Sequence, residues 1–169
     1  MDTDSVLSRR PMRRFWGWGL ASDTLTAREQ ATVKAMLAHI EARFEDRPAP
    51  QVGEFDLPAP RIAPPLALAA QFSAAPLDRL NHCAGKSYAD CARMWLRAPP
   101  SLTDWVAYPE NEQAVIDILD WAQSHDVAVI PYGGGSSVCG GVEAAVGHGY
   151  AAAVSLDLER LNRVLEVDP

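Results

Sequence analysis

Val127-Ala128-Val129-Ile130-Pro131-Tyr132-Gly133-Gly134-Gly135-Ser136-Ser137-Val138-Cys139-Gly140-Gly141 is the stretch from which the fold is read. Its first four residues are an unbroken apolar run, which fits a buried strand. Five of the chain's 11 glycines follow within Pro131 to Gly141. Consecutive glycines cost conformational entropy on folding, a cost tolerated where backbone turns sharply or approaches something closely. Exposed amides in such a loop make an anion-binding concavity, and Ser136 and Ser137 add hydroxyl donors. A strand feeding directly into the loop fixes its position. A flexible linker would not follow a buried strand so closely or carry Val138 and Val142. The stretch therefore reads as a cradle for a phosphate or pyrophosphate.

Outward from this loop the pattern alternates. Upstream, Asn111 is a helix N-cap, and Val115, Ile116, Leu119 and Ala122 form a helical stripe reaching about His125. Trp105 to Tyr108 precedes it as a short strand. Downstream, Ala151 to Leu156 and Val164 to Val167 read as strands. The N-terminal part is helical. Thr26-Ala27-Arg28-Glu29 is a capping box opening an amphipathic helix over about 26–45, with Val33, Leu37, Ile40 and Phe44 as its apolar face. Six of the 13 prolines lie between Pro48 and Pro65 and predict an extended segment, packed on the body or mobile. Pro76 to His82 and Tyr88 to Trp95 predict two short helices separated at Gly85. The expected fold class is α+β: a helical N-terminal region followed by an α/β unit. The expected divisions are 1–46 (arm and helix), 47–66 (Pro-rich linker), 67–100 (helical connector) and 101–169 (α/β unit).

Composition narrows the function. Hydrophobic residues make up 48% of the 169 residues, which excludes disorder of the whole chain. The longest apolar stretch, Ile62 to Ala70, is far short of the about 20 residues that span a bilayer and contains two prolines. A net charge of −7 disfavours nucleic-acid binding by the body of the chain. Ser8-Arg9-Arg10 resembles an export signal, but no apolar core follows it. Cys83, Cys91 and Cys139 give neither a disulfide framework nor a zinc knuckle, and reduced thiols point to a cytoplasmic protein.

Three familiar loops fail on spacing. A dinucleotide fingerprint starting at Gly133 meets Val138 at its third glycine position. A Walker A loop ending in Gly85-Lys86-Ser87 meets Leu80 at its first glycine. A nucleophile elbow around Ser137 meets Cys139 at its last glycine. Lys86 reads instead as a solvated lysine at a helix boundary.

Pro109-Glu110, the helix after it, and Val127 to Ser137 together resemble the opening of the FAD-binding domain of the vanillyl-alcohol oxidase / para-cresol methylhydroxylase family. Within that family, Phe15-Trp16-Gly17-Trp18-Gly19, Gly85-Lys86-Ser87-Tyr88, Gly140-Gly141-Val142-Glu143 and Ser155 to Pro169 are similar to alkylglycerone-phosphate synthases and their FAD-linked oxidase relatives. The resemblance implies a flavoprotein whose FAD is held by Pro131, Tyr132, Gly133, Gly134, Gly135, Ser136, Ser137, Gly140 and Gly141. It implies that 101–169 is an incomplete FAD-binding domain, that catalytic residues lie outside this chain, and that the chain is an N-terminal fragment, inactive alone. The full enzyme would join acyl-dihydroxyacetone phosphate to a fatty alcohol in ether-lipid biosynthesis, as a homodimer with peripheral membrane contact at most. The alternatives are an FAD dehydrogenase of D-2-hydroxy acids and a non-catalytic truncated product. No metal is implied.

The remaining residues have plainer readings. Cys139 is expected as a small buried filler and His82 as a surface or helix-end histidine. Trp16 and Trp18, flanked by arginines, are expected to dock an N-terminal arm on the body rather than to stack on a nucleic acid. Glu110 and Glu112 favour the start of a helix.

Overall fold

The computed structural model describes residues 12–40 and 47–168. Four strands form one mixed sheet in the order β1 (Phe72–Ser73), β2 (Trp105–Ala107), β4 (Ala152–Asp157), β3 (Val127–Tyr132). β1 is antiparallel to β2, whereas β2, β4 and β3 run parallel. Parallel strands of one sheet are joined by a crossover, and α4 (Glu112–Ser124) supplies the one from β2 to β3, which lie on either side of β4. The Asn111 side chain caps α4 by accepting from the Ala114 amide. Ile118 and Ala122 of α4 bury against Phe72, Ala107, Val127, Val154 and Leu156 on one face of the sheet. Ala144 and Val146, beyond the glycine loop, cover Ala128, Ile130 and Ala153. Every residue of the central β4 is buried. β3 is an edge strand, which is where a proline is tolerated, and it continues through Pro131 to Tyr132 rather than stopping at Ile130.

A second core is assembled from segments before the sheet. The expected helices appear as α2 (Pro76–Asn81) and α3 (Tyr88–Trp95). A Ser87–Asp90 capping box starts α3. Leu80, Cys83, Ala84 and Met94 pack there with Phe55 of the Pro-rich segment and Phe15 of the arm. The Pro-rich segment is thus packed on the body, with Pro50 fully buried. The arm docks as expected. Phe15 meets Phe55 edge to face at 5.6 Å, Trp16 meets Trp95 at 5.2 Å, and Trp18 Nε1 donates to the Lys86 carbonyl at 3.0 Å. Phe15→Ala is expected to cost about 3–5 kcal/mol and lower the melting temperature by roughly 10 °C. Thermal melting followed by circular dichroism tests this, and an unchanged midpoint would remove the docking role.

Several expectations fail. The first helix, α1 (Ala27–Leu37), is shorter than 26–45 and has no buried residue. Its capping box forms, but Val33 and Ile40 of the expected apolar face are exposed; Phe44 lies outside the described residues. Helix-period spacing therefore produced the helix without burying its face among the described residues. Val164 to Val167 forms no strand, and all four residues are exposed. A short apolar segment needs a neighbouring strand to pair with before it becomes a strand, and among the described residues none flanks this one. Conversely, Phe72–Ser73 is a strand only because Ala107 and Val106 pair with it.

Candidate functional site

The three parallel strands end together. Tyr108 follows β2, Asp157 ends β4 and Tyr132 ends β3, and all three border a cavity of about 660 Å³. In open α/β sheets the crevice outside the carboxyl ends of the strands is where ligands bind. Gly133 and Gly134 leave β3 at the rim of this cavity and are exposed. A Cβ on Gly133 would meet nothing within 4 Å, and one on Gly134 would meet only Arg13 Nη1, at 3.7 Å, and Ser136 Oγ, at 3.9 Å. The backbone here is accessible to a ligand.

The need for glycine is sharper one residue on. Gly135 has a φ of +66°, and a Cβ there would lie 2.0 Å from the Tyr132 hydroxyl oxygen. That hydroxyl donates to the Asn81 carbonyl at 2.9 Å, so it cannot easily move away. Gly85 is the other close approach. It is buried beneath the loop, where the Lys86 amide donates to the Ser137 carbonyl at 2.6 Å.

Of the nine residues singled out from sequence, Tyr132, Gly133 and Gly134 border the cavity. Pro131 is exposed on the edge strand, Gly135 is buried under the turn, and Ser136 is exposed. Ser137 Oγ accepts from the Gly141 amide at 3.1 Å, and Gly140 makes a tight turn with φ +80°. Those three shape the loop behind the rim.

The cavity is lined by charges of both signs. Arg13 stands beside Gly134, Arg14 and Lys86 also line the cavity, and Asp78, Asp157 and Glu159 stand on its walls. Lys86 is not a solvated lysine. Its ammonium is partly buried and donates to the Arg14 and Phe15 carbonyls at 3.0 and 3.2 Å, and burial lowers its pKa. His82 takes the helix-end place expected of it, at the C-terminus of α2, and is buried there rather than on the surface. Its ring nitrogens face two oxygens, the Asp78 carbonyl at 2.7 Å and the Asp157 carboxylate at 2.8 Å. The Tyr132 ring lies 4.0 Å from the imidazole. Histidine, carboxylate and tyrosine thus tie α2 to the ends of β3 and β4, where burial pushes the Tyr132 phenol up to about 12. Cys139 is exposed rather than a buried filler, since it sits on the outer turn of the loop. Cys83 is the buried thiol, and burial pushes it up to about 12, so it stays protonated and inert.

Arg13, Asp78, His82 and Asp157 were missed as site residues. Only Arg13 left a signal, in the arginines before the aromatic run. A diphosphate-bearing dinucleotide fits this arrangement: open glycine backbone, cations beside it, and a cavity at the strand ends. The Gly133–Gly134 rim would hold the diphosphate, with Arg13 nearby.

Comparison with known proteins agrees. The family model described as FAD binding domain matches residues 103–169. Over 93 residues the chain is 38% identical to alkyldihydroxyacetonephosphate synthase of Trypanosoma brucei brucei, covering 53% of this chain and 15% of that protein. Over 92 residues it is 33% identical to the Dictyostelium discoideum protein of the same name, covering 54% and 15%. A solved structure of alkyldihydroxyacetonephosphate synthase superimposes with a TM-score of 0.76 at 23% identity, covering 92% of this chain and 34% of that one. The chain therefore spans about 15% of the length of the curated relatives it matches. Residues 103–169 thus match an FAD binding domain, and the chain is similar over about half its length to alkyldihydroxyacetonephosphate synthases, whose fold it shares.

Proposed function

We propose that this chain forms the diphosphate-holding part of the FAD site of an alkylglycerone-phosphate synthase-like enzyme, one that joins acyl-dihydroxyacetone phosphate to a fatty alcohol. The observation that carries the reading is the meeting of the open Gly133–Gly134 backbone with basic side chains at the carboxyl ends of three parallel strands. Bound FAD would supply the electrophilic or redox chemistry. The chain's own residues bind and orient. Gly133 and Gly134 let the phosphates approach the backbone, Gly135 turns the loop, and His82 with Asp157 holds the strand ends in register. The chain alone is expected to be catalytically silent. This is supported by the 15% share of its relatives that it spans.

The test is flavin content. Purified protein should carry the flavin absorbance bands, and Gly134→Val should abolish them. Because a Cβ there meets nothing closer than 3.7 Å and φ is not in the left-handed region, melting without ligand should shift by no more than about 2 °C. Unchanged flavin content in Gly134→Val would remove the cradle reading. Turnover by the chain alone with acyl-dihydroxyacetone phosphate and fatty alcohol would remove the expectation of silence.

A further inference from the structure

We propose that Arg13, on the N-terminal arm, is a direct ligand of the cofactor diphosphate, so that the arm completes an anion site whose floor is the glycine loop. The inference rests on the reading of the cavity as the FAD site. It adds a residue 90 positions before the matched FAD-domain stretch begins.

Three observations carry it. The first is location: Arg13 Nη1 donates to the Gly134 carbonyl, which puts the guanidinium on the rim beside the most open part of the loop. The second is spare capacity. A guanidinium has five N–H donors, and the contact with Gly134 uses one. Among the described residues no carboxylate lies within ion-pair distance of Arg13. Its basic neighbours are directed to other partners. Arg14 donates to the Trp18 and Asp23 carbonyls and stacks on the Trp16 ring. Lys86 holds the Arg14 and Phe15 carbonyls.

The third observation is pre-organisation. Arg13 pairs with Leu20 in an antiparallel bridge, and the Ala21 amide donates to the Met12 carbonyl at 2.7 Å. Phe15 is buried and Trp18 is tied to Lys86, so the arm holds its shape without a ligand. A pre-placed arginine loses less entropy on binding and offers a phosphate a two-pronged contact. Electrostatics require such a group. Asp78, Asp157 and Glu159 border the same cavity, and a doubly charged diphosphate entering beside them is repelled unless a cation stands on its side.

The experiment measures equilibrium binding of FAD, ADP and riboflavin to the whole chain by calorimetry, with Arg13→Gln, Arg13→Lys and Gly134→Val as variants. ADP carries the diphosphate without the flavin, and riboflavin carries the flavin without phosphate. Arg13→Gln is expected to weaken FAD and ADP about tenfold, the scale of one lost charge-assisted contact. Riboflavin should be unaffected. The gap for FAD and ADP should narrow as salt is raised, because the lost interaction is screened. Arg13→Lys should recover part of the loss, keeping the charge without the fork. Melting without ligand should stay within about 2 °C of the unmodified chain, since the side chain is exposed. If Arg13→Gln binds FAD and ADP as tightly as the unmodified chain while Gly134→Val binds neither, the cradle stands and the arginine is not a ligand. If Arg13→Gln melts many degrees lower and loses riboflavin equally, the arginine is a prop for the arm and the inference falls. If the unmodified chain binds neither FAD nor ADP, the reading of the cavity falls and takes the inference with it.

Discussion

Gly85→Ala should strip FAD from the protein and lower its melting temperature by roughly 6–12 °C. The reason is local and steric. A Cβ on Gly85 would lie 2.2 Å from the Ser137 carbonyl oxygen and 3.0 Å from its carbon, with Asp90 Oδ2 at 3.2 Å. The nearest atoms are backbone, so no rotamer change relieves the clash. The loop has to lift away from the connection between α2 and α3. That movement breaks the Lys86 amide bond to Ser137 and disturbs the Lys86 carbonyl that holds Trp18. Overpacking at a buried backbone contact costs about 2–4 kcal/mol. Gly53→Ala is the control. Its Cβ would meet nothing within 4 Å, and it should melt within about 2 °C of the unmodified chain. Should Gly85→Ala retain flavin and melt like Gly53→Ala, the loop does not rest on Gly85.

The contrast among glycines shows how much of the site was legible. Glycine clustering after an apolar run marks a backbone that turns or is approached, and the loop duly follows β3 and turns at Gly135 and Gly140. Sequence could not say which glycine is indispensable for shape. Within the run of three glycines the left-handed φ and the closest contact fall at Gly135. Local signals were reliable. The Thr26–Glu29 box and the Asn111 cap form as read, since each depends on residues three apart. Non-local features were not readable. Arg13 and Gly134 are 121 positions apart, and His82 and Asp157 are 75 apart. No periodicity encodes those meetings, because they arise from packing of the arm and α2 on the sheet. The same cause explains why the burial of His82 and the exposure of Cys139 were not readable, since both depend on what packs over them. The strand expected at Val164 to Val167 failed for a related reason: β-prone residues favour extended backbone, but pairing specifies a strand.

Asp104→Ala should produce the other large loss, about 2–4 kcal/mol at pH 7, and the loss should disappear in acid. Asp104 is 3% exposed and precedes β2. Its Oδ1 accepts from the Arg61 amide at 2.8 Å, and its Oδ2 from Arg61 Nη2 at 2.7 Å and from the Ala153 amide at 2.8 Å. One carboxylate thus joins the Pro-rich segment to the central strand of the sheet. Alanine would leave the buried Ala153 amide without that acceptor and release Arg61. Burial alone would raise the Asp104 pKa, but the hydrogen bonds from Arg61 and Ala153 and the Arg61 charge outweigh it and hold the carboxyl below its ordinary 3.8. A depressed carboxyl stabilises the fold above its unfolded value and loses that contribution as pH falls through its folded value. The difference between the two proteins should therefore be the same at pH 7 and pH 5 and shrink only below about pH 4. Urea unfolding at pH 7, 5 and 3 measures it. A difference that persists undiminished at pH 3 would assign the loss to packing rather than to the charged network, and a difference below about 1 kcal/mol at pH 7 would show that the network contributes little.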